Sequence, residues 1–123
     1  MIKSYYAEVD NTIYSKTSSM NAGLDSALEL GKASSSAGIF TSRVLIKFPL
    51  AKISSSILSG DIYNPKYYMN LYQSKTHEMQ PQYNLIAFAV SNSWDAGSGR
   101  KIDPTSRTQF IKQGSSWTYR NKK

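Results

Sequence analysis

Ser42-Arg43-Val44-Leu45-Ile46-Lys47-Phe48-Pro49 is the stretch on which the fold turns. Val44, Ile46 and Phe48 fall on one face of an extended chain and Arg43 and Lys47 on the other, the period of two of a strand buried on one side. Pro49 lacks a ladder donor and ends it. Working outward, Lys66-Tyr67-Tyr68-Met69-Asn70-Leu71-Tyr72 alternates again, with Tyr67, Met69 and Leu71 on one face and Tyr68, Asn70 and Tyr72 on the other. Tyr83–Val90 is apolar on both faces, which predicts a strand covered on both sides by a second sheet or a neighbouring subunit. Weaker strand patterns lie at Ser4–Val9, Thr12–Tyr14, Ala27–Leu30, Thr108–Lys112 and Ser116–Arg120.

The stretches Ser15–Gly23, Lys32–Gly38, Gln73–Gln82 and Asn92–Pro104 are rich in Ser, Gly, Asn and Pro and read as loops. One short helix is expected near Ser54–Ser59. Ile53 and Ile57 are four apart, a serine is available as cap, and Gly60 can take the left-handed position at its end. We expect it to plug the end of a sandwich. Many short strands with polar turns and no βαβ alternation predict an all-β chain, an antiparallel sandwich or barrel. Val44, Ile46, Phe48, Met69, Leu71, Ile86, Phe88 and Val90 are its expected core.

The chain of 123 residues fits one domain. It has no cysteine, which excludes a disulfide scaffold and thiolate chemistry and is compatible with a reducing cytoplasm. The N-terminus shows no signal-peptide pattern, and no apolar run has the length of a membrane span. The charge is uneven. Residues 1–99 carry eight basic and seven acidic side chains, whereas Arg100, Lys101, Arg107, Lys112, Arg120, Lys122 and Lys123 face Asp103 alone in residues 100–123. Nearly all of the net charge of +7 therefore sits in the last 24 residues, a segment suited to an acidic partner.

No catalytic constellation is evident. The single histidine, His77, lies in a polar loop between two predicted strands. The eight acids form no anchored pair, and no His, Cys or Asp spacing fits a metal. Asp95 and Asp103 flank a loop that holds Arg100 and Lys101, and they read as turn residues rather than calcium ligands. Gly97-Ser98-Gly99-Arg100-Lys101 lacks the spacing of a phosphate loop; its glycines suit a tight turn. The residues thus imply neither catalysis nor a cofactor. Tyr68 and Tyr72, sharing a strand face with Asn70 between them, suit stacking on a sugar or packing on a subunit.

The order of segments resembles a known family. Asp10-Asn11-Thr12-Ile13-Tyr14-Ser15, Leu28-Glu29-Leu30-Gly31, Ser42–Leu50, Pro65–Tyr72 and Val90-Ser91-Asn92-Ser93-Trp94-Asp95 follow one another as in the DNRLRE domain, a jelly-roll β-sandwich related to certain carbohydrate-binding modules. Ser93–Arg100 followed by Gly114-Ser115-Ser116-Trp117-Thr118-Tyr119-Arg120 is similar to the variant found in tailed-bacteriophage virion proteins. Pro49 stands where the family has Asp. Family members also continue for one or more strands beyond the position of Lys123, so the resemblance implies completion by a partner strand or by further chain.

The resemblance implies a single jelly-roll domain over 1–123, with 100–123 as an assembly arm or completing strands. It further implies a non-enzymatic structural subunit of a tailed-phage virion, made in the host cytoplasm, that decorates or cements capsid, neck, tail or fibre. Its partners would be other virion proteins and copies of itself, with no membrane. The alternative is an adhesion module binding surface glycans through Tyr68, Tyr72 and Trp94. Nucleic-acid contact by residues 100–123 is a weaker competitor, and its mark would be binding that falls steeply with salt.

Overall fold

The computed structural model describes residues 1–74, 84–101 and 113–121. Its regular structure is mostly strand: β1 (Val9–Tyr14), β2 (Gly31–Ser35) and β3 (Gly38–Lys47), followed by α1 (Leu50–Leu58). The three strands form one antiparallel sheet in the order β1-β3-β2. β3 holds the centre because it alone combines length with an apolar face.

Register assigns the faces. Opposite residues of an antiparallel pair share a face, and Thr12 lies opposite Val44, Asp10 opposite Ile46 and Tyr14 opposite Ser42. Asn11 lies opposite Leu45 and Ile13 opposite Arg43 on the other side. Val44 and Ile46 are half-buried and Arg43 and Lys47 exposed, as the alternation predicts, but Leu45 on the other face is half-buried too, and β3 ends at Lys47 just before Pro49. β2 and β3 form a hairpin around Ser36 and Ala37, with Ser35 opposite Gly38.

Several boundaries differ from expectation. The strand expected at Ala27–Leu30 lies instead at Gly31–Ser35, inside a stretch read as loop. Every residue of β2 is exposed, so it has no apolar face to announce it. Thr12–Tyr14 belongs to a strand that begins at Val9, while 4–8 lies outside it. No strand forms at 66–72 or 84–90, and 116–120 runs through bends. The pattern at Thr108–Lys112 lies outside the described residues, as do His77 and Asp103.

The helix begins at Leu50, not Ser54, because Pro49 (φ −73°) already holds a torsion suited to a first turn and its carbonyl accepts the Ile53 amide at 3.1 Å. No side chain caps the start. Gly60 does close the end, with φ 79° and its amide on the Ile57 carbonyl. α1 fully buries none of its residues, and only Ile53, Ser56 and Ile57 are half-buried, so it plugs nothing. The N-terminal segment crosses it instead. The Tyr5 hydroxyl donates to Ser56 Oγ at 2.9 Å, and Lys3 Nζ lies 3.3 Å from Asp61 Oδ2. The hydrogen bond from Lys3 holds the Asp61 carboxyl below its ordinary range.

The expected core is also corrected. Val44, Ile46 and Phe48 are half-buried, but Met69, Leu71, Ile86, Phe88 and Val90 are exposed, Phe88 at 82%. What is buried among the described residues is half polar: Asn11, Thr12, Asn21, Ser115 and Ser116, beside Met20, Ala22, Pro49, Gly99 and Gly114.

Candidate functional site

The buried polar residues form a clasp joining the N-terminal sheet to residues 95–101 and 113–119. Asn11 Nδ2 donates to both the carbonyl and Oγ of Ser115 at 2.8 Å, while Asn11 Oδ1 accepts the Ala22 amide. Asn21 Nδ2 donates to the carbonyls of Ala96 (2.6 Å) and Ser115 (2.8 Å). Its Oδ1 accepts the amides of Gly23 and, at 2.7 Å, Gly99. A carboxamide supplies two donors and an acceptor with two lone pairs, so Asn21 uses its full capacity. No buried side-chain polar atom among the described residues lacks a partner.

Such close approach needs residues without Cβ. Gly97 sits at φ 77°, and a Cβ there would overlap the Gln113 carbonyl and crowd the Asn21 amide. The tight-turn reading of the 97–101 loop thus holds for Gly97. Gly99 has no positive φ, and its role is to let the backbone meet Asn21. Asp95 shapes the same turn: its Oδ1 accepts the Gly97 amide at 2.9 Å and its carbonyl accepts the Ser115 amide.

The segment after the clasp lies on the Asn11 face of the sheet. The Arg43 guanidinium stands 4.8 Å from the Trp117 ring centre, a cation–π contact. On the opposite face Lys101 is held internally. Its Nζ lies 2.6 and 2.8 Å from the Glu29 carboxylate and 5.2 Å from the Tyr14 ring centre, and its amide donates to Asp25. Burial, reinforced by the Glu29 carboxylate, pushes the Tyr14 phenol far above its usual value.

The expected contact residues separate. Tyr68 and Tyr72 are 83% and 94% exposed. Trp94 is half-buried in a shallow groove of about 370 Å³, lined by Val9, Lys47, Asp95, Arg120 and Asn121 among others. Neither tyrosine lines that groove. Of the basic residues, Arg100 is exposed, Lys101 is committed to Glu29, and Arg120 joins Lys47 beside Trp94. Arg107, Lys112, Lys122 and Lys123 lie outside the described residues.

Sequence reasoning missed Asn11, Asn21 and Ser115, and missed Lys47 as a groove residue. The only signal was indirect: glycines at 23, 97, 99 and 114 beside Asn and Ser, which read as turns.

No family model, curated protein or solved structure matches the chain. No helix among the described residues is long and apolar enough to cross a membrane.

Proposed function

We propose that this chain is a non-enzymatic structural subunit of a tailed-phage virion, a jelly-roll-type domain that decorates or cements the particle through protein–protein contacts. The observation that carries the reading is the exposed apolar surface. Tyr63, Tyr67, Tyr68, Met69, Leu71 and Tyr72 stand in solvent on one segment, and Leu85, Ile86, Phe88 and Val90 on another. Apolar side chains exposed in such number along two segments suit a surface that meets another protein. The segment order shared with the DNRLRE-type virion proteins supports the same assignment, and the basic segment from Arg100 onward would meet an acidic neighbour. Exposed charge pairs of that kind set register and association rate more than affinity.

The test is mass spectrometry and antibody labelling of purified phage particles from cultures that make this chain. Stoichiometric copies on particles are expected. A chain present in the cells and absent from the particles would refute the reading.

The Trp94 groove favours a second reading, a carbohydrate-binding module. An indole flanked by Lys47, Arg120 and Asn121 offers a stacking face with hydrogen-bond donors beside it. Saturable glycan binding that is lost in Trp94→Ala and weakened in Tyr72→Ala would establish it. A flat glycan titration would remove it.

A further inference from the structure

We propose that residues 63–72 and 84–94 are sheet-forming spans completed by a second copy of this chain, so that the folded unit is an intertwined homo-oligomer. The inference deepens the assembly reading above by naming the partner of the exposed apolar surface.

The first argument is hydrogen-bond accounting. Among the described residues, the backbone of the 95–101 loop is tied to Asn21, Leu24, Asp25 and Ser115, yet residues 63–72 and 84–94 make no hydrogen bond to any described residue. Asn64, at φ 48°, and Pro65 stand at the start of the first span. Backbone donors and acceptors flanked by apolar side chains are the template for strand pairing. Both spans carry strand-forming residues: Tyr67, Met69 and Leu71 alternate with Tyr68 and Tyr72, and Ile86, Phe88 and Val90 alternate with Leu85, Ala87 and Ala89.

The second argument is extent. Tyr63, Tyr67, Tyr68, Met69, Leu71 and Tyr72 in the first span and Leu85, Ile86, Phe88 and Val90 in the second are each at least half exposed, more apolar side chain than an isolated chain gains by leaving in water.

The third argument selects the occupant. Lys66 is the only charged residue in 63–72, and none occurs in 84–94. A chain of net charge +7 thus leaves its apolar spans nearly neutral, so two copies can meet there without repulsion. An acidic partner would find nothing on them to pair with. Depletion of charge with enrichment of Tyr, Phe and Met is the composition of homo-oligomer interface cores. Each copy also has what the other lacks. Among the described residues β2 has one neighbour, β3, and is exposed along its whole length, so an open edge and unpaired spans coexist there. Closed symmetry lets identical copies satisfy both at once.

Sedimentation velocity and light scattering on the full chain test this. A mass that is a multiple of 13.8 kDa is expected, with a melting temperature that falls on dilution. Hydrogen exchange should show the amides of 66–72 and 84–90 slowed at least about 100-fold relative to an unstructured chain, within the range that stable pairing provides. Phe88→Asp should yield monomers that retain the Trp117 near-ultraviolet signature. Should that variant fail to fold, cross-linking of co-refolded light- and heavy-isotope chains decides, with inter-chain links from Lys66 expected. A monomer at all concentrations, or an oligomer in which both spans exchange freely, overturns the proposal. The particle assay is independent. An intertwined oligomer absent from virions sinks only the virion reading, and a monomer that is stoichiometric on particles sinks only this one.

Discussion

Two regions of this molecule solve the same problem in opposite ways. In the clasp, Asn11, Asn21 and Ser115 are buried and every buried side-chain polar atom is paired within the chain. In the spans 63–72 and 84–94, apolar side chains are exposed and the backbone makes no hydrogen bond to another described residue. The clasp holds because breaking any of its bonds strands a desolvated donor or acceptor, a penalty larger than the bond's net worth. The spans have no such internal constraint, and their burial depends on what lies outside the chain. Stability that is independent of concentration should therefore reside in the clasp, and stability that grows with concentration in the spans.

The comparison breaks first at Gly97. Gly97→Ala puts a Cβ onto the Gln113 carbonyl at a positive φ, and a loss of more than about 4 kcal/mol is expected. Cooperative urea unfolding should disappear. Gly31→Ala, whose nearest atom is Ser42 Oγ at 3.8 Å, should leave the transition almost unmoved. An intact transition in Gly97→Ala would mean that the clasp is not the organising contact.

Next in size is Asn21→Ala. It strands the Gly99 amide and the Ala96 carbonyl, while the Ser115 carbonyl keeps its bond from Asn11, with an expected cost of about 3–5 kcal/mol. Urea denaturation should give the same loss at every protein concentration. Phe88→Ser, by contrast, should cost about 2 kcal/mol where copies associate and nothing at dilutions where they do not. Equal concentration dependence for the two variants would erase the distinction between the regions.

Smaller effects sharpen it. Trp117→Leu removes the cation–π partner of Arg43 and should cost about 1 kcal/mol beyond packing, read by the same denaturation. The smallest is alkaline. The Tyr14 phenol titrates higher in the folded chain than in the unfolded one, through burial and the neighbouring Glu29. The unfolded state then releases its proton first, so the contribution is fully present below about pH 10 and is lost as pH rises above it. Tyr14→Phe should flatten that part of the pH profile between about 10 and 12. A profile unchanged by the substitution would mean that Tyr14 is solvated.

How much of this was legible follows from the range of each interaction. The strand at Val44–Lys47 and its stop at Pro49 are short-range facts, visible in a period of two and a missing donor. The helix was visible in Ile53 and Ile57, and its end in Gly60, but its start was misplaced because Pro49 initiates it without a polar cap. β2 escaped notice because an exposed edge strand has no apolar face to create a pattern. Lys101 read as a contact for an acidic partner because nothing local reveals Glu29, 72 residues away.

By itself the sequence determined the strand-rich character, one short helix and where it stops, the uneven charge, and which segments have apolar faces. Each is set by side chains within a few positions of one another. Only the tertiary structure decided that Asn11 and Asn21 pair with Ser115, 104 and 94 residues away, and that Met69, Leu71, Ile86 and Phe88 stay outside the fold of a single chain. Hydrogen-bond satisfaction and burial are properties of assembled neighbours. A period along the chain shows that a face wants cover, while the arrangement in space shows whether the same chain supplies it.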